Sequence, residues 1–150
     1  MILEFVHADL FQLEADTIVC PVNCDGTMGN GLALAFKFKY PDDLFNQYHY
    51  LCGERKLNPG HSWLYRHPYK NVLCFATKDR WRNDSKLEWI SRGLYACLDN
   101  LPRLGVRHIG FPLLGCGKGN LNKHDVIELF REVFDPDIVE GVDLKVTVCL

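Results

Sequence analysis

The stretch from Val22 to Tyr40, VNCDGTMGNGLALAFKFKY, constrains the fold more than any other part of the chain. The segment leading into it, Thr17 to Val22, is β-branched and apolar and reads as a strand buried on both faces. Polar and small residues with Gly26, Gly29 and Gly31 then form a loop, and from Leu32 the pattern turns helical. Leu32, Ala35, Phe36 and Phe38 to Tyr40 offer its apolar surface. Strand, glycine-rich turn and helix start together make an anion-binding arrangement. Glycines let the backbone approach a ligand closely, and the first helical turn has N–H groups free to donate. A tight connection needing positive φ would use the same glycines.

A second loop sharpens this reading. Ile109 to Leu121, IGFPLLGCGKGNL, is again a short apolar strand running into glycines, here Gly115, Gly117 and Gly119. Two such loops at strand ends suit one elongated phosphate-bearing ligand gripped from both sides. The spacing matches neither a Walker loop nor the dinucleotide fingerprint. Gly119 follows Lys118, so the hydroxyl that would hold magnesium is missing and a nucleotide-kinase reading is poor.

The remaining segments complete an α/β pattern. Strands are expected at Met1–Val6, His61–His67, Asn71–Thr77, Arg107–Phe111 and Leu144–Cys149. A peripheral helix is expected from Leu44 to about Arg55 after the cap Pro41-Asp42-Asp43. The longest helix is read as Ser85–Leu104, with Leu87, Ile90, Leu94, Cys97, Leu98 and Leu101 inward and Ser85 with Glu88 as a capping box. A further helix is read at His124–Phe134. The expectation is one three-layer α/β/α domain over residues 1–150, with a mixed central sheet of about six strands.

With 47% hydrophobic and 24% charged residues, the chain has material for a real core. Its formal net charge of −2 argues against duplex binding by bulk electrostatics, though not against a local basic patch. No run approaches the length of a membrane helix and the N-terminus shows no basic-then-apolar leader, so a cytoplasmic protein away from membranes is expected. The 7 cysteines are scattered without CxxC spacing and read as reduced core residues, not as ligands for zinc.

Four landmarks in order resemble the macrodomain, the ADP-ribose-binding α/β module: Asp9-Leu10, VNCDGTMGNGLALAFKFKYP, ATKDRW and PLLGCGKGNL. The likeness runs along nearly the whole chain. It is nearest to the branch holding the terminal ADP-ribose protein glycohydrolase, the DNA-directed antitoxins and an ADP-ribose-1''-phosphate phosphatase. The Thr77-Lys78 step is specific to that branch, and TKDRWRNDSKLEWI is most like the antitoxins. The resemblance implies that Asp9 accepts from the adenine amino group, Leu10 lies against the base and Asn23 touches the distal ribose. It implies that Thr27, Met28, Gly29, Asn30 and Gly31 form one side of the ligand cradle. Leu114, Gly115, Cys116, Gly117, Lys118, Gly119, Asn120 and Leu121 would form the other.

Lys78, with Asn23 beside it, is the implied catalytic residue. Alone it would read as a solvated loop lysine. In the family it acts at the anomeric carbon, either as a nucleophilic amine that forms an imine or as an ammonium that stabilises the leaving group. The first role needs the amine pKa brought down from roughly 10.4. The chain departs from the family pattern at two positions. The terminal glycohydrolase has an acid–base Asp where this chain has Gly119, and the phosphatase has a catalytic His where this chain has Cys20. Asp25 is the nearest carboxylate to the first loop, with a loop-stabilising role set against that of a base.

Arg80, Trp81, Arg82 and Lys86 form the single basic-plus-aromatic cluster. It suits a single-stranded DNA partner, against the alternative of a Trp packed under the long helix. The function expected is removal of ADP-ribose from DNA, or next from acidic protein side chains, by a monomer without metal or dissociable cofactor. The alternatives are the phosphatase and a silent ADP-ribose reader, which would have no need of Lys78.

Overall fold

The computed structural model describes all 150 residues. Six strands form one sheet: β1 (Ile2–Val6), β2 (Thr17–Val22), β3 (Ser62–Tyr65), β4 (Asn71–Ala76), β5 (His108–Pro112) and β6 (Lys145–Cys149). Their spatial order is β1-β6-β5-β2-β4-β3, parallel throughout except for β3, which runs antiparallel to β4 at the edge. Four helices cover it: α1 (Gly31–Lys39), α2 (Asp42–Gly53), α3 (Leu87–Asn100) and α4 (Lys123–Val133). The three-layer α/β/α architecture with a mixed sheet is the one the alternation of strand and helix patterns implies.

Alternation along the strands divides the core between two faces. Val19, Leu73, Phe75, Ile109, Phe111, Val146 and Val148 meet α3 and α4 through Ile90, Leu94, Cys97, Val126, Phe130 and Val133. On the opposite face Ile18, Cys20, Val22, Val72, Cys74 and Ala76 meet Phe36, Leu44, Tyr48 and Cys52 of α1 and α2. The central strands β2 and β4 are therefore apolar on both sides, as a parallel strand between helix layers must be. At Gly93 the long helix lies directly on the Phe75 ring, where an added Cβ would overlap the ring atoms. A glycine in mid-helix costs about 1 kcal/mol relative to alanine, and here it permits the close approach of α3 to the sheet.

Several sequence-based boundaries shift. The long helix begins at Leu87 and not Ser85, with Lys86 as its cap, and the Ser85–Glu88 capping box does not form. The Ser85 N–H donates instead to the Gly119 carbonyl at 3.0 Å, which pulls Ser85 out of the helix into contact with the second glycine loop. The helix ends at Asn100, and Pro102–Leu104 is a separate 3-10 turn. Helix α2 already includes Asp42 and Asp43 in its first turn, where their charge suits the helix dipole. Phe38 and Leu87, which the helical pattern places on apolar stripes, are exposed.

Because β2, β4 and β5 are parallel, the three segments that follow them leave from one edge of the sheet. Val22 is in register with Ala76, which sets the first glycine loop abreast of Thr77 and Lys78. The ladder continues past the strands, with the Thr77 N–H on the Val22 carbonyl at 2.9 Å and the Cys24 N–H on the Asp79 carbonyl at 3.1 Å.

Candidate functional site

A cavity of about 620 Å³ opens at this carboxyl edge. That volume suits a ligand of nucleotide-sugar size. Its first wall comes from Asn23, Thr27, Gly29, Asn30 and Gly31, with Leu32 and Ala33 of α1. Its second comes from Gly115, Gly117, Lys118 and Gly119, with Pro112 and Leu113 at the end of β5. Thr77, Lys78, Trp81 and Ser85 close it between the loops. The two loops thus come together on one space, each presenting glycine backbone. At Gly29 and Gly117 nothing lies within 4 Å of where a Cβ would stand, so these faces are open to a ligand.

Asn23 organises the first loop from within. Its Oδ1 accepts from the N–H groups of Asp25 at 3.1 Å and Gly26 at 3.2 Å, and its Nδ2 donates to Thr27 Oγ1 at 3.0 Å. The fully buried Tyr48 of α2 donates its hydroxyl to the Asn23 carbonyl at 2.7 Å, with Asn23 Oδ1 at 2.9 Å. Burial pushes the Tyr48 phenol far above its ordinary range, so it stays a donor. Nothing local in the sequence links Tyr48 to the loop; the one available signal is its place on the inward stripe with Leu44 and Cys52.

Lys78 ties its own segment to the second wall. Its Nζ donates to the Trp81 carbonyl and to the Lys118 carbonyl, both at 3.1 Å. Partial burial lowers its pKa from the ordinary lysine range, with Asp84 opposing that shift and Lys118 adding to it. Asp25 is fully engaged: Oδ1 pairs with Arg80 at 2.9 Å and Oδ2 accepts the Trp81 N–H at 2.8 Å. Burial disfavours its charge, but the Trp81 N–H and the Arg80 guanidinium outweigh this and hold the carboxyl below its ordinary range. The loop-stabilising role is therefore the one its geometry serves.

Gly119 has no room for a side chain. An added Cβ would run into Ser85 Oγ and the backbone of Gly115. Ser85 Oγ itself is buried without a hydrogen-bond partner. The absence of a carboxylate at this position is thus built into the packing of the second loop.

Other sequence-predicted residues sit around the cavity without lining it. Asp9 follows β1 on the same sheet edge, where its carboxylate caps the next turn by accepting from Phe11 N–H at 3.0 Å, and Leu10 is buried beside it. Met28 and Leu114 are core residues beneath the loops. Cys116 and Leu121 are partly buried, and Asn120, at φ 62°, donates to Asp84 at 2.7 Å. Trp81, which does border the cavity, is 55% exposed and not packed under α3, and Arg82 beside it is exposed. All 7 cysteines are free thiols. No helix is long and apolar enough to cross a membrane.

The family model for the Macro domain matches residues 19–130, a span containing both loops and Lys78. The chain belongs to the macrodomain family. Two relatives of this macrodomain are the DNA ADP-ribosyl glycohydrolases of Thermus aquaticus and Mycobacterium tuberculosis. The first is 32% identical over 148 residues, covering 96% of this chain and 40% of the relative. The second is 31% identical over 145 residues, covering 91% and 41%. The chain thus spans well under half the length of either. The human ADP-ribose glycohydrolase OARD1 is 26% identical over 149 residues, covering 97% of this chain and 90% of that protein. Among solved structures, the macrodomain of Mycobacterium tuberculosis DarG superposes with a TM-score of 0.89 at 28% identity, covering 99% of this chain and 97% of that one. Thermosipho africanus DarTG in complex with ADP-ribose gives 0.87 at 27% identity, covering 99% and 42%.

Proposed function

We propose that this macrodomain binds ADP-ribose between its two glycine loops and hydrolyses the glycosidic bond that joins it to a DNA base. Acidic protein side chains are the next candidate acceptor. The relatives named as DNA ADP-ribosyl glycohydrolases and the ADP-ribose-bound neighbour support this assignment. The observation that carries it is Lys78, set at the cavity wall and bonded to the carbonyls of Trp81 and of Lys118 in the second loop. A protein that only binds ADP-ribose has no use for a lysine there.

Sheet order gives the ligand a direction. Asp9 follows β1 at one end of the sheet and Lys78 follows β4 near the other. An elongated ligand with its adenine at Asp9 and its diphosphate on the glycine loops brings the distal ribose to Lys78. Two backbone carbonyls accept from the lysine nitrogen, an arrangement that favours the ammonium. As an ammonium, Lys78 stabilises negative charge on the departing group as the bond to the anomeric carbon breaks and water adds there. An imine would first require loss of that proton. Trp81 and Arg82 lie exposed next to Lys78 and suit the strand that carries the modified base. Arg80 reaches the same surface with part of its charge already answered by Asp25.

Lys78→Ala tests the reading. Affinity for ADP-ribose, by calorimetry, is expected within about threefold of wild type, because the loops supply ground-state contacts. Release of ADP-ribose from a modified oligonucleotide is expected to fall by at least about a hundredfold. Retained hydrolysis refutes the lysine mechanism. Borohydride trapping of wild-type protein on its substrate would replace the electrostatic route by the imine.

A further inference from the structure

The backbone of Trp81 is held through one of its two peptide groups and holds Lys78 through the other. Its N–H donates to Asp25 Oδ2 at 2.8 Å, and its carbonyl accepts from Lys78 Nζ at 3.1 Å. Asp25 is in turn anchored: its own N–H donates to Asn23 Oδ1, and Asn23 hangs from the buried Tyr48 hydroxyl. A continuous series of bonds therefore runs from the core of α2, through the first glycine loop, to the nitrogen of Lys78. Apart from the Asn83 N–H on the Arg80 carbonyl, the other backbone ties of the 79–86 segment fall on residues away from Trp81. Asp79 receives Cys24, Asn83 turns back to Arg80, and Ser85 reaches Gly119.

We propose that Asp25 is the positioning residue for Lys78, acting through the backbone of Trp81. This rests on the reading of Lys78 as the lysine that acts at the scissile bond. With the carboxylate in place, the Trp81 carbonyl is fixed and Lys78 has two acceptors, Trp81 and Lys118, that aim it between the loops. Without it, the Arg80–Trp81 peptide keeps only the Asn83 N–H on its carbonyl, the backbone at Trp81 loosens, and the lysine is left with Lys118 as its one firmly placed acceptor. The carboxylate has one oxygen on Arg80 and the other on Trp81. It is occupied in holding the lysine segment, and activation of water is not its task. The ion pair with Arg80 is mostly solvated, with Arg80 62% exposed, so the operative bond is the one from the Trp81 N–H.

Three measurements on the intact protein test this. In Asp25→Ala, ADP-ribose affinity is expected within about threefold, while turnover of an ADP-ribosylated oligonucleotide falls about tenfold to a hundredfold, the scale of a misplaced catalytic group. Asp25→Asn keeps an oxygen for the Trp81 N–H and is expected to recover turnover to within about threefold of wild type. The third measurement needs no activity: the side-chain ammonium signal of Lys78 in nitrogen-15-labelled protein, assigned by its absence in Lys78→Ala. It is expected to be sharp and slow to exchange in wild type and in Asp25→Asn, and lost in Asp25→Ala. An Asn variant as impaired as the Ala variant overturns the proposal in favour of a role for the charge. Faster turnover in Asp25→Ala overturns it too, since the bonds would then be restraining the lysine from its task. Wild-type protein inert toward the oligonucleotide refutes the hydrolase reading, and the Lys78 signal then decides the positioning role by itself.

Discussion

Replacing Tyr48 by Phe removes one oxygen from the centre of the protein and should be felt at the ligand site. Tyr48 is fully buried, and its hydroxyl lies 2.7 Å from the Asn23 carbonyl, 2.9 Å from Asn23 Oδ1 and 3.4 Å from the Thr27 carbonyl. Only one proton serves these three acceptors. Its loss removes one net hydrogen bond of about 0.5–1.5 kcal/mol, and part of the cost of leaving the Asn23 carbonyl short of a donor adds to it. Two features soften the loss. Asn23 Oδ1 retains the N–H groups of Asp25 and Gly26, and Cys52 Sγ stands 3.9 Å from the Asn23 carbonyl as a weak donor. A destabilisation of about 1.5–2 kcal/mol is the expected result. For a chain of this size that lowers Tm by about 3–8 °C. Because the loop must then be reordered by its ligand, ADP-ribose affinity should also fall, by about threefold to tenfold. Urea unfolding and calorimetry measure the two effects on one preparation. A stability loss with unchanged affinity would show that the loop keeps its binding geometry without Tyr48, and no change in either would refute the coupling altogether.

Gly117→Val should leave Tm within about 1 °C, since its Cβ meets no atom within 4 Å, yet reduce ADP-ribose affinity at least about a hundredfold by filling the cradle. Equal binding would show that the phosphates do not approach this glycine. Gly93→Ala should destabilise the fold by about 1–3 kcal/mol in urea unfolding, because the added methyl overlaps the Phe75 ring and α3 must lift from the sheet. Trp81→Ala should weaken cleavage of a modified oligonucleotide about tenfold to a hundredfold and spare free ADP-ribose, as loss of about 1–3 kcal/mol of base stacking predicts. Equal loss on both ligands would remove the stacking role.

Much of this fold is legible from residue patterns because its central strands leave little choice. Strands β2 and β4 are short apolar runs ending in polar loops, and both their faces are buried. The glycine loops were visible for the same reason: each interrupts an apolar strand abruptly. Helix phase was harder. Phe36 and Tyr40 stand one turn apart on the inner stripe of α1 and its cap, which leaves Phe38 between them at 80% exposure despite its apolar side chain. At Ser85 the capping pattern was present but lost to a long-range partner, the Gly119 carbonyl, that no window around Ser85 contains. The Tyr48–Asn23 and Asp25–Trp81 bonds were out of reach for that reason too, joining residues 25 and 56 positions apart. Lys78 carries no local signal of its own; its place at a strand end and the Thr77-Lys78 step singled it out.

The packing of Gly119 against Ser85 also bears on which sequences can be reached from this one by single changes. An acidic residue at position 119 meets Ser85 Oγ and the Gly115 backbone at once. Such a substitution is unfavourable while Ser85 is present, and trimming Ser85 alone still leaves the Gly115 backbone in the way. Residues in contact have non-additive effects, so the order of changes matters here: the wall must recede and the loop must shift before a carboxylate becomes tolerable. A carboxylate at position 119 is therefore within reach only after changes at other positions have made room for it.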